Sequence, residues 1–529
     1  MPGSETANPF LSQRDGGDTS ERNAPVTTET NPQPRDRRFD RLNWSLIGLA
    51  VALRTVRYLH DHALWLDEAY LALNLISRSF AELTSELDGE QYAPIGFLYV
   101  MKAVIVAFGT SNYAFRLFPY VVSLVAVWAF YALAKRVLAP AAVPVALALF
   151  AISYPFLIYA AETKPYGLDA AIAMLITLAG IHFGSRGRPT VLDAVVLALG
   201  GSIAVWLSYP SAFVLASVGI ALATRDFGQR NWRGVGLVVV LAAAWLLSFI
   251  LQMSIVRGGV PAQVPDSDLG HLREFYADHF FPWPPNPVVV SEWLLHFMSD
   301  LIGYFTSEVM SGIGIIALIM GCFALFVRDR FALAVLTLPW IVAILVSAAH
   351  YYPLADRFTL FTGPAALLLI AAGCNEIRLR FGADGKVVWI LIIAALCFQP
   401  AMRAVKQSIW LDRFGDARPA VARLDENIQP SDKIYLYWTG EPLYRLYSTR
   451  PHPEKRILSG RRSERWAAHA KDVDQLHGEE RVWVLFTFNA HTSPAGLTVR
   501  DELDRRGTLL DSFVSEGSAL YLYDLSDSE

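Results

Sequence analysis

The sequence has few charged residues and few cysteines. Of its 529 residues, 18% are charged and 53% are hydrophobic, and the mean hydropathy is +0.34. This composition excludes an ordinary soluble globular protein. The three cysteines, Cys322, Cys374 and Cys397, lie in apolar runs, so we predict no disulfide in an exposed domain. Basic residues occur only in small clusters, which excludes an extended nucleic-acid-binding surface.

Several sequence signals of common functions are also missing. No second His or Cys lies at metal-ligand spacing from His350, and no glycine-rich phosphate loop follows a predicted strand of the C-terminal part. The first 40 or so residues are rich in Pro, Asn, Thr and charged residues and contain no apolar signal-peptide core. We therefore predict that residues 1–41 form a disordered cytoplasmic tail.

Long apolar runs account for most of the remaining sequence. Runs of about 17 to 24 residues, such as 234–256 and 310–327, contain almost no charge and are long enough to cross a hydrocarbon core of about 30 Å. We predict a polytopic α-helical membrane protein with about eleven spanning helices and additional interfacial helices, which together occupy residues 42–402.

The distribution of basic residues predicts the orientation of these helices. Five clusters fall on one side if the short segment 94–108, which contains Lys102, lies in the membrane interface instead of crossing it. We therefore expect a multi-pass protein of the cell (inner) membrane, with its N-terminus in the cytoplasm and its C-terminal domain outside. The clusters are Lys135-Arg136, Arg186 with Arg188, 225–233, Arg328 with Arg330, and 378–386.

Residues 403–529 differ from the rest, because charged residues are frequent and short apolar strands alternate with helical patterns. This alternation predicts a soluble α/β domain with a mostly parallel sheet. We predict helices over 417–426, 445–447, 464–476 and 497–506, strands over 433–438, 456–458 and 481–488, and two closing strands within 513–524.

The adjacent carboxylates Asp67 and Glu68 follow the first apolar helix. Two adjacent carboxylates at a membrane surface are costly to place beside lipid. Their presence there makes the pair a candidate catalytic base, metal ligand or ion site. Adjacent residues on a helix point about 100° apart, so only one of them needs to face a cavity. The alternative is that the pair caps the helix over 69–76.

A second polar element lies between two apolar helices, over residues 159–169. Lys164 is suited to binding a phosphate, Glu162 or Asp169 to holding that lysine, and Tyr166 to packing on a sugar. A snorkelling lysine is the alternative. Arg116, near the outer end of the preceding helix, is a weaker candidate for the same phosphate.

A third element covers residues 350–358. Arg357 can bind a phosphate through two hydrogen bonds, while His350 and Tyr352 are candidate cavity residues; a surface pair of Asp356 with Arg357 is the alternative. Tyr92, in the polar turn 88–94, is a further cavity candidate, and an ordinary loop and helix cap is the alternative. The long loop before 292 contains residues suited to an acceptor groove: His271, Glu274, Tyr276, Asp278, His279 and Trp283.

The order of these motifs resembles polyprenyl-phosphate-dependent glycosyltransferases of the GT-C superfamily. The resemblance covers about 43–375 and rests on Leu66-Asp67-Glu68, the Pro-led segment from Pro94, the helix start 115–119, and the Glu162-x-x-x-Tyr166 element. It is to the bacterial branch that includes protein O-mannosyltransferases, lipid A aminoarabinose transferases and related lipopolysaccharide glycosyltransferases. The chain departs from that pattern at 91–94, where many relatives have His-Pro-Pro or Lys-Pro-Pro.

The resemblance implies a large outer cavity and transfer of a sugar from polyprenyl phosphate to an extracytoplasmic lipid, glycan or protein hydroxyl, with inversion. It implies that Asp67 is the carboxylate near the acceptor and that Lys164 and Arg357 neutralise the phosphate leaving group. Our hypothesis is that Asp67 is the base, that Glu68 orients it or binds an occasional divalent metal, and that Arg116 is a weaker phosphate ligand. The competing hypotheses are a transporter or flippase for a lipid-linked sugar, and a non-catalytic scaffold built around the outer α/β domain.

Overall fold

The computed structural model describes residues 37–186, 190–259, 276–409, 415–450, 452–460 and 471–526. Nearly all of the predicted N-terminal tail, His271 and Glu274 of the long loop, and residues 464–470 of a predicted helix lie outside these ranges. The first helix begins at Arg37, six residues before the predicted start at 43.

Apolar helices form a bundle over residues 37–409. Among the described residues, nine helices are long and apolar enough to cross a membrane. The helices are α1 Arg37–Leu59, α2 Leu66–Ser77, α3 Ile95–Phe108, α4 Asn112–Val137, α5 Val143–Ile152, α6 Tyr154–Ile158, α7 Tyr166–Ser185, α8 Val191–Leu207, α9 Ser211–Gly228, α10 Trp232–Gly259, α11 Pro287–Phe305, α12 Ser311–Arg328, α13 Arg330–Ala348, α14 Gly363–Arg380 and α15 Gly382–Ile409. The predicted α-helical membrane fold is therefore confirmed.

The short helix α3 packs against α2 and α4. It has 14 residues, and Lys102 near its middle donates a hydrogen bond to the carbonyl of Leu75 at 2.7 Å. A helix of this length extends only about 21 Å, which is less than the hydrocarbon thickness. The structure thus agrees with the expectation that this segment does not span the membrane by itself.

Helix α11 was not predicted, and both of its ends lie at the end of the bundle where α2 begins, the α2 end. Six residues before its start, the Phe281 amide donates a hydrogen bond to the hydroxyl of Ser347, near the end of α13, at 3.0 Å. At its finish, the Ser153 hydroxyl donates to the Phe305 carbonyl at 2.8 Å. Because both of its ends lie at the same end of the bundle, α11 leaves the predicted order of membrane-crossing helices unchanged.

Basic residues collect at the opposite end of the bundle. Arg136 donates a hydrogen bond to the Ser185 hydroxyl, and Arg225 donates to the carbonyl of Gly184. The ends of α4, α7 and α9 are thereby joined, and they carry three of the clusters used to predict sidedness. The chain is a multi-pass membrane protein, while the cytoplasmic location of this end stays a prediction.

Residues 415–526 form a small α/β domain with one five-stranded sheet. Its helices are α16 Arg418–Asn427, α17 Glu441–Tyr447 and α18 Pro494–Arg506, with a short helical stretch over 471–474. Its strands are β1 Lys433–Leu436, β2 Ile457–Ser459, β3 Val482–Thr487, β4 Thr508–Ser515 and β5 Ser518–Asp524, in the spatial order β2-β1-β3-β5-β4.

Only half of the strand pairings in this sheet are parallel, so the prediction of a mostly parallel sheet was wrong for the half that contains β4 and β5. Strand β1 pairs in parallel with β2 and β3, whereas β5 pairs antiparallel with β3 and β4. The reason is the connection between β4 and β5, which has two residues and places Gly517 at φ 97°. So short a connection permits only a hairpin, because a parallel crossover needs many more residues.

Candidate active site

Asp67 and Glu68 lie in the first turn of α2 and face different surroundings. The helix begins at Leu66, and the amide of its cap residue Trp65 donates to Glu68 Oε2 at 2.9 Å. Because successive helical residues diverge by about 100°, this cap bond turns Glu68 inward and leaves Asp67 on another face. The helix-cap interpretation therefore describes Glu68 and does not describe Asp67.

Glu68 is the centre of a buried network, called the Glu68 network below. Its side chain is 2% exposed, and Oε2 also accepts from Arg116 Nη2 at 3.2 Å. The second oxygen, Oε1, accepts from the Thr163 amide at 2.7 Å. Since Thr163 belongs to the second polar element, this carboxylate holds the α2 loop against the loop that carries Lys164.

Arg116 belongs to the same network, and its surroundings do not suit the predicted phosphate-binding role. Its guanidinium is 1% exposed and donates to the carbonyls of His62 at 2.6 Å and Ala63 at 3.1 Å, in addition to Glu68. A phosphate needs an accessible edge of the guanidinium, and here both terminal nitrogens bind the 62–68 loop. Arg116 therefore fixes the loop that precedes Asp67.

Asp67 lies at the accessible side of the same turn and pairs with Arg357. The distance from Asp67 Oδ2 to Arg357 Nη1 is 3.0 Å, and the two side chains are 30% and 31% exposed. Arg357 Nη2 donates to the Tyr276 hydroxyl at 3.2 Å, and the guanidinium lies 5.6 Å from the centre of the Tyr166 ring. Tyr166, predicted to pack on a sugar, packs here on the cation.

Lys164 lies beside this pair in a buried position. Its ammonium donates to Gln91 Oε1 at 2.5 Å, and Gln91 in turn donates to the Gly89 carbonyl at 2.9 Å. Burial lowers the pKa of Lys164 to about 8, and the negative charge of Asp67 partly offsets this effect. The residue at which the chain departs from the family pattern, Gln91, is thus a direct partner of the candidate phosphate ligand.

Glu162 is a second acidic group close to the Glu68 network. Burial, together with the charge of Glu68, raises its pKa to about 7, while Arg57 acts in the opposite direction. Arg57 was not a predicted site residue. The signal that would have found it is the presence of two arginines, Arg54 and Arg57, in the last two turns of the apolar helix α1.

The remaining predicted residues occupy different surroundings. Tyr352 donates to the carbonyl of Phe358 at 2.8 Å and so braces the segment that carries Arg357. Tyr92 is 54% exposed, on the turn next to Gln91. Asp169 is buried in the first turn of α7, and no described contact joins it to the Asp67 and Arg357 pair. Its Oδ1 atom has no hydrogen-bond partner among the described groups. His350 is exposed and stacks on Phe280 at 5.2 Å.

A cavity of about 810 Å³ is lined by Asp356, the residue that precedes Arg357 in the chain. It is enclosed by residues of three segments within 277–284, 289–308 and 350–359. Its wall includes His350 and Asp356, as well as Asp278, His279 and Trp283 of the predicted acceptor groove. The long loop and the third polar element, which were predicted separately, therefore line one space.

The described residues do not provide an evident metal centre. Within them, no three His, Cys, Asp or Glu side chains lie close enough to hold a metal ion. Both oxygens of Glu68 already accept hydrogen bonds from Trp65, Arg116 and Thr163. Glu68 therefore does not fit the predicted role of a metal ligand, and we derive no catalytic step through a metal.

The C-terminal domain contacts the loop that leads into α2. The Tyr447 hydroxyl accepts from the Leu64 amide at 2.8 Å, and Arg418 Nη1 pairs with Asp61 at 3.0 Å. The Trp65 ring lies 4.7 Å from that of Phe488, in an edge-to-face arrangement. The domain and the candidate site consequently share the α2 end of the bundle.

Comparison with solved structures finds the same fold in other membrane proteins, of which we describe two. The chain superposes on the Archaeoglobus fulgidus oligosaccharyltransferase, solved with zinc and sulfate, with a TM-score of 0.54 and 12% identity, covering 92% of this chain and 73% of that one. It also superposes on ArnT from Cupriavidus metallidurans, bound to undecaprenyl phosphate, with a TM-score of 0.55 and 12% identity, covering 90% and 97% of the two chains.

A further structure of the archaeal enzyme, AglB in complex with an inhibitory peptide and a dolichol-phosphate, gives a TM-score of 0.53 at 11% identity and covers 92% and 75% of the two chains. No protein-family model and no curated protein matches the sequence. The predicted resemblance to the GT-C superfamily is therefore confirmed at the level of the fold.

Proposed function

We propose that the chain is a membrane glycosyltransferase that moves a sugar from a polyprenyl phosphate to a hydroxyl group of an extracytoplasmic acceptor. The observation that carries this proposal is the convergence of one carboxylate and two cations, Asp67, Arg357 and Lys164, at one end of the bundle. Proteins of the same fold were solved with undecaprenyl phosphate and with a dolichol-phosphate, which supports a lipid-phosphate donor.

Each of the three groups has a role in an inverting transfer. Asp67 removes the proton of the acceptor hydroxyl, whose oxygen attacks the anomeric carbon of the sugar as the bond to the phosphate oxygen breaks. Arg357 and Lys164 stabilise the negative charge on the departing polyprenyl phosphate. A phosphate bound at Arg357 competes with Asp67 for the guanidinium, so donor binding frees the carboxylate to act as the base.

The position of these groups also favours an enzyme over a transporter. A transporter hypothesis predicts its ionisable residues near the middle of broken helices. Asp67 lies in the first turn of α2, Lys164 lies just before α7, and Arg357 lies before α14. All three are at helix ends, where a hydroxyl acceptor from the aqueous side has access.

Mass spectrometry of envelope lipids and glycans tests the proposal in cells. Cells without the protein, and cells with Asp67→Asn, should lack one sugar residue that wild-type cells carry. Cells with Glu86→Gln, an exposed carboxylate at the same end, should resemble wild type. Purified protein in detergent should also transfer sugar from a synthetic polyprenyl-phosphate donor, which a flippase cannot do. An unchanged set of glycans in cells without the protein would exclude the proposal.

A further inference from the structure

Two of the segments that line the 810 Å³ cavity adjoin, in the chain, residues of the Arg357 site. Tyr276, which accepts a hydrogen bond from Arg357, immediately precedes the first residue of the cavity wall, Ala277. Asp356, in the opposite wall, immediately precedes Arg357 in the sequence. The cavity and the site of the proposed base therefore share two chain segments.

The wall of the cavity is acidic. Five carboxylates line it, and the described residues of its lining include no lysine or arginine. Within the described part of the chain, one of the five makes an ion pair, Glu308 with Arg403 at 3.0 Å, and this pair lies partly exposed. The carboxylates are Asp278, Glu292, Asp300, Glu308 and Asp356. Such a wall repels phosphate and other anions.

Flat aromatic surfaces lie between these carboxylates. Trp293 and Phe297 are parallel within 9°, with ring centres 5.1 Å apart, and Phe281 packs edge-on against Trp293 at 5.4 Å. Trp283 is 63% exposed at the same wall. A sugar ring has an apolar C–H face that packs on such a surface, and its hydroxyls are donors for which carboxylates are the matching acceptors.

We propose that this cavity binds the acceptor, and that the acceptor is a carbohydrate without negative charge. This inference rests on the proposed function and adds the substrate class. Arg357 then stands between two sides of opposite charge: Lys164 and Arg357 attract the phosphate of the donor, while the acidic wall excludes that phosphate and accepts sugar hydroxyls. The volume lies within the range of about 300–1,000 Å³ that is typical of small-molecule sites.

Binding of soluble probes tests the inference independently of catalysis. Isothermal titration calorimetry on the full-length protein in detergent would compare an N-acetylated chitotetraose (neutral), a chitosan tetramer (cationic), a tetragalacturonate (anionic) and tetralysine. The neutral and cationic sugars should bind, and the anionic one should bind at least about ten-fold more weakly because it meets the carboxylates. Tetralysine should bind more weakly than the chitosan tetramer, since it offers no sugar face.

Three variants test whether residues of the cavity wall bind the sugar. Trp293→Ala should weaken binding of the neutral sugar by about ten-fold, and Trp293→Phe should retain most of it, because the ring face is kept. The double variant Glu292→Gln/Asp300→Asn should reduce the discrimination against tetragalacturonate.

Asp67→Asn should bind the probes like wild type while losing transfer, so failure of the proposed catalysis and failure of this inference give different results. The inference is overturned by equal affinity for the anionic sugar, by tighter binding of tetralysine than of any sugar, or by unchanged sugar binding in a folded Trp293→Ala protein.

Discussion

Asp67 and Glu68 are neighbours in the chain but belong to regions that differ in burial and in partners. Glu68 is almost completely enclosed, and its two oxygens accept three hydrogen bonds. Asp67 is 30% exposed and makes one ion pair, with a residue 290 positions away. An enclosed carboxylate with filled hydrogen-bonding capacity stabilises structure, whereas an accessible one with a displaceable partner can exchange a proton with a substrate.

Two carboxylates at the start of one helix can therefore have different roles, one in stabilising the structure and the other in the proposed catalysis. The Glu68 network fixes the loops that carry Asp67 and Lys164, and the accessible groups carry out the proposed chemistry. Substitutions in the two regions should therefore separate stability from activity.

The largest expected effect is on activity. Asp67→Asn removes the proposed base without enlarging or burying the side chain, and general base catalysis contributes about 10²- to 10⁴-fold. We expect a loss of that size in kcat with a near wild-type melting temperature, measured with a synthetic donor on purified protein. Glu86→Gln at the same end serves as the control. Turnover above about a tenth of wild type would remove Asp67 from the base role.

The opposite outcome is expected for Glu68→Gln. Removing one partner of a buried ion pair leaves the Arg116 charge uncompensated, which costs about 3–5 kcal/mol. We expect low abundance in the membrane and a lowered melting temperature. The double variant Glu68→Gln/Arg116→Met should lose less than the sum of the two single variants, since it leaves no unpaired charge. A Glu68→Gln protein as stable as Asp67→Asn would show that the network has no stabilising role.

The dependence of kcat/KM on pH tests the proposed role of Lys164 in binding phosphate. The ammonium is the form that binds phosphate, and burial lowers its pKa to about 8, so the charged form is present below pH 8 and is lost as the pH rises above it. We expect kcat/KM to fall about ten-fold per pH unit above 8, and the fall should disappear in Lys164→Arg, which stays protonated. Lys135→Arg, at the opposite end of the bundle, should keep the wild-type profile.

The smallest effect concerns the contact between domains. Tyr447→Phe removes the hydrogen bond from the Leu64 amide and the one that the Tyr447 hydroxyl donates to Asn112 Oδ1, and should cost about 2 kcal/mol, seen as a small decrease in melting temperature. Tyr435→Phe is a matched control, because the Tyr435 hydroxyl, in the same domain, has no hydrogen-bond partner among the described residues. Equal melting of the two variants would mean that the Tyr447 contact adds no stability.

Sequence patterns were sufficient for features that depend on nearby residues. The apolar runs predicted the membrane helices, and the short length of 94–108 with Lys102 predicted that α3 does not cross. The alternation after 403 predicted the strands of the C-terminal domain to within a few residues. Helix α11 was missed because Glu292, His296 and Asp300 interrupt its apolar character, and these polar residues line the cavity.

Amino-acid patterns alone predicted a multi-pass membrane protein with an α/β domain, and placed its unusual charges at helix ends. Those conclusions follow from hydropathy and periodicity, which are local properties. The enclosure of Glu68 and Arg116, the pairing of Asp67 with Arg357, and the gathering of five carboxylates and several aromatic rings around one cavity came from the packing of distant segments. Burial and ion pairing depend on which distant segments pack together, and helix periodicity does not specify that packing.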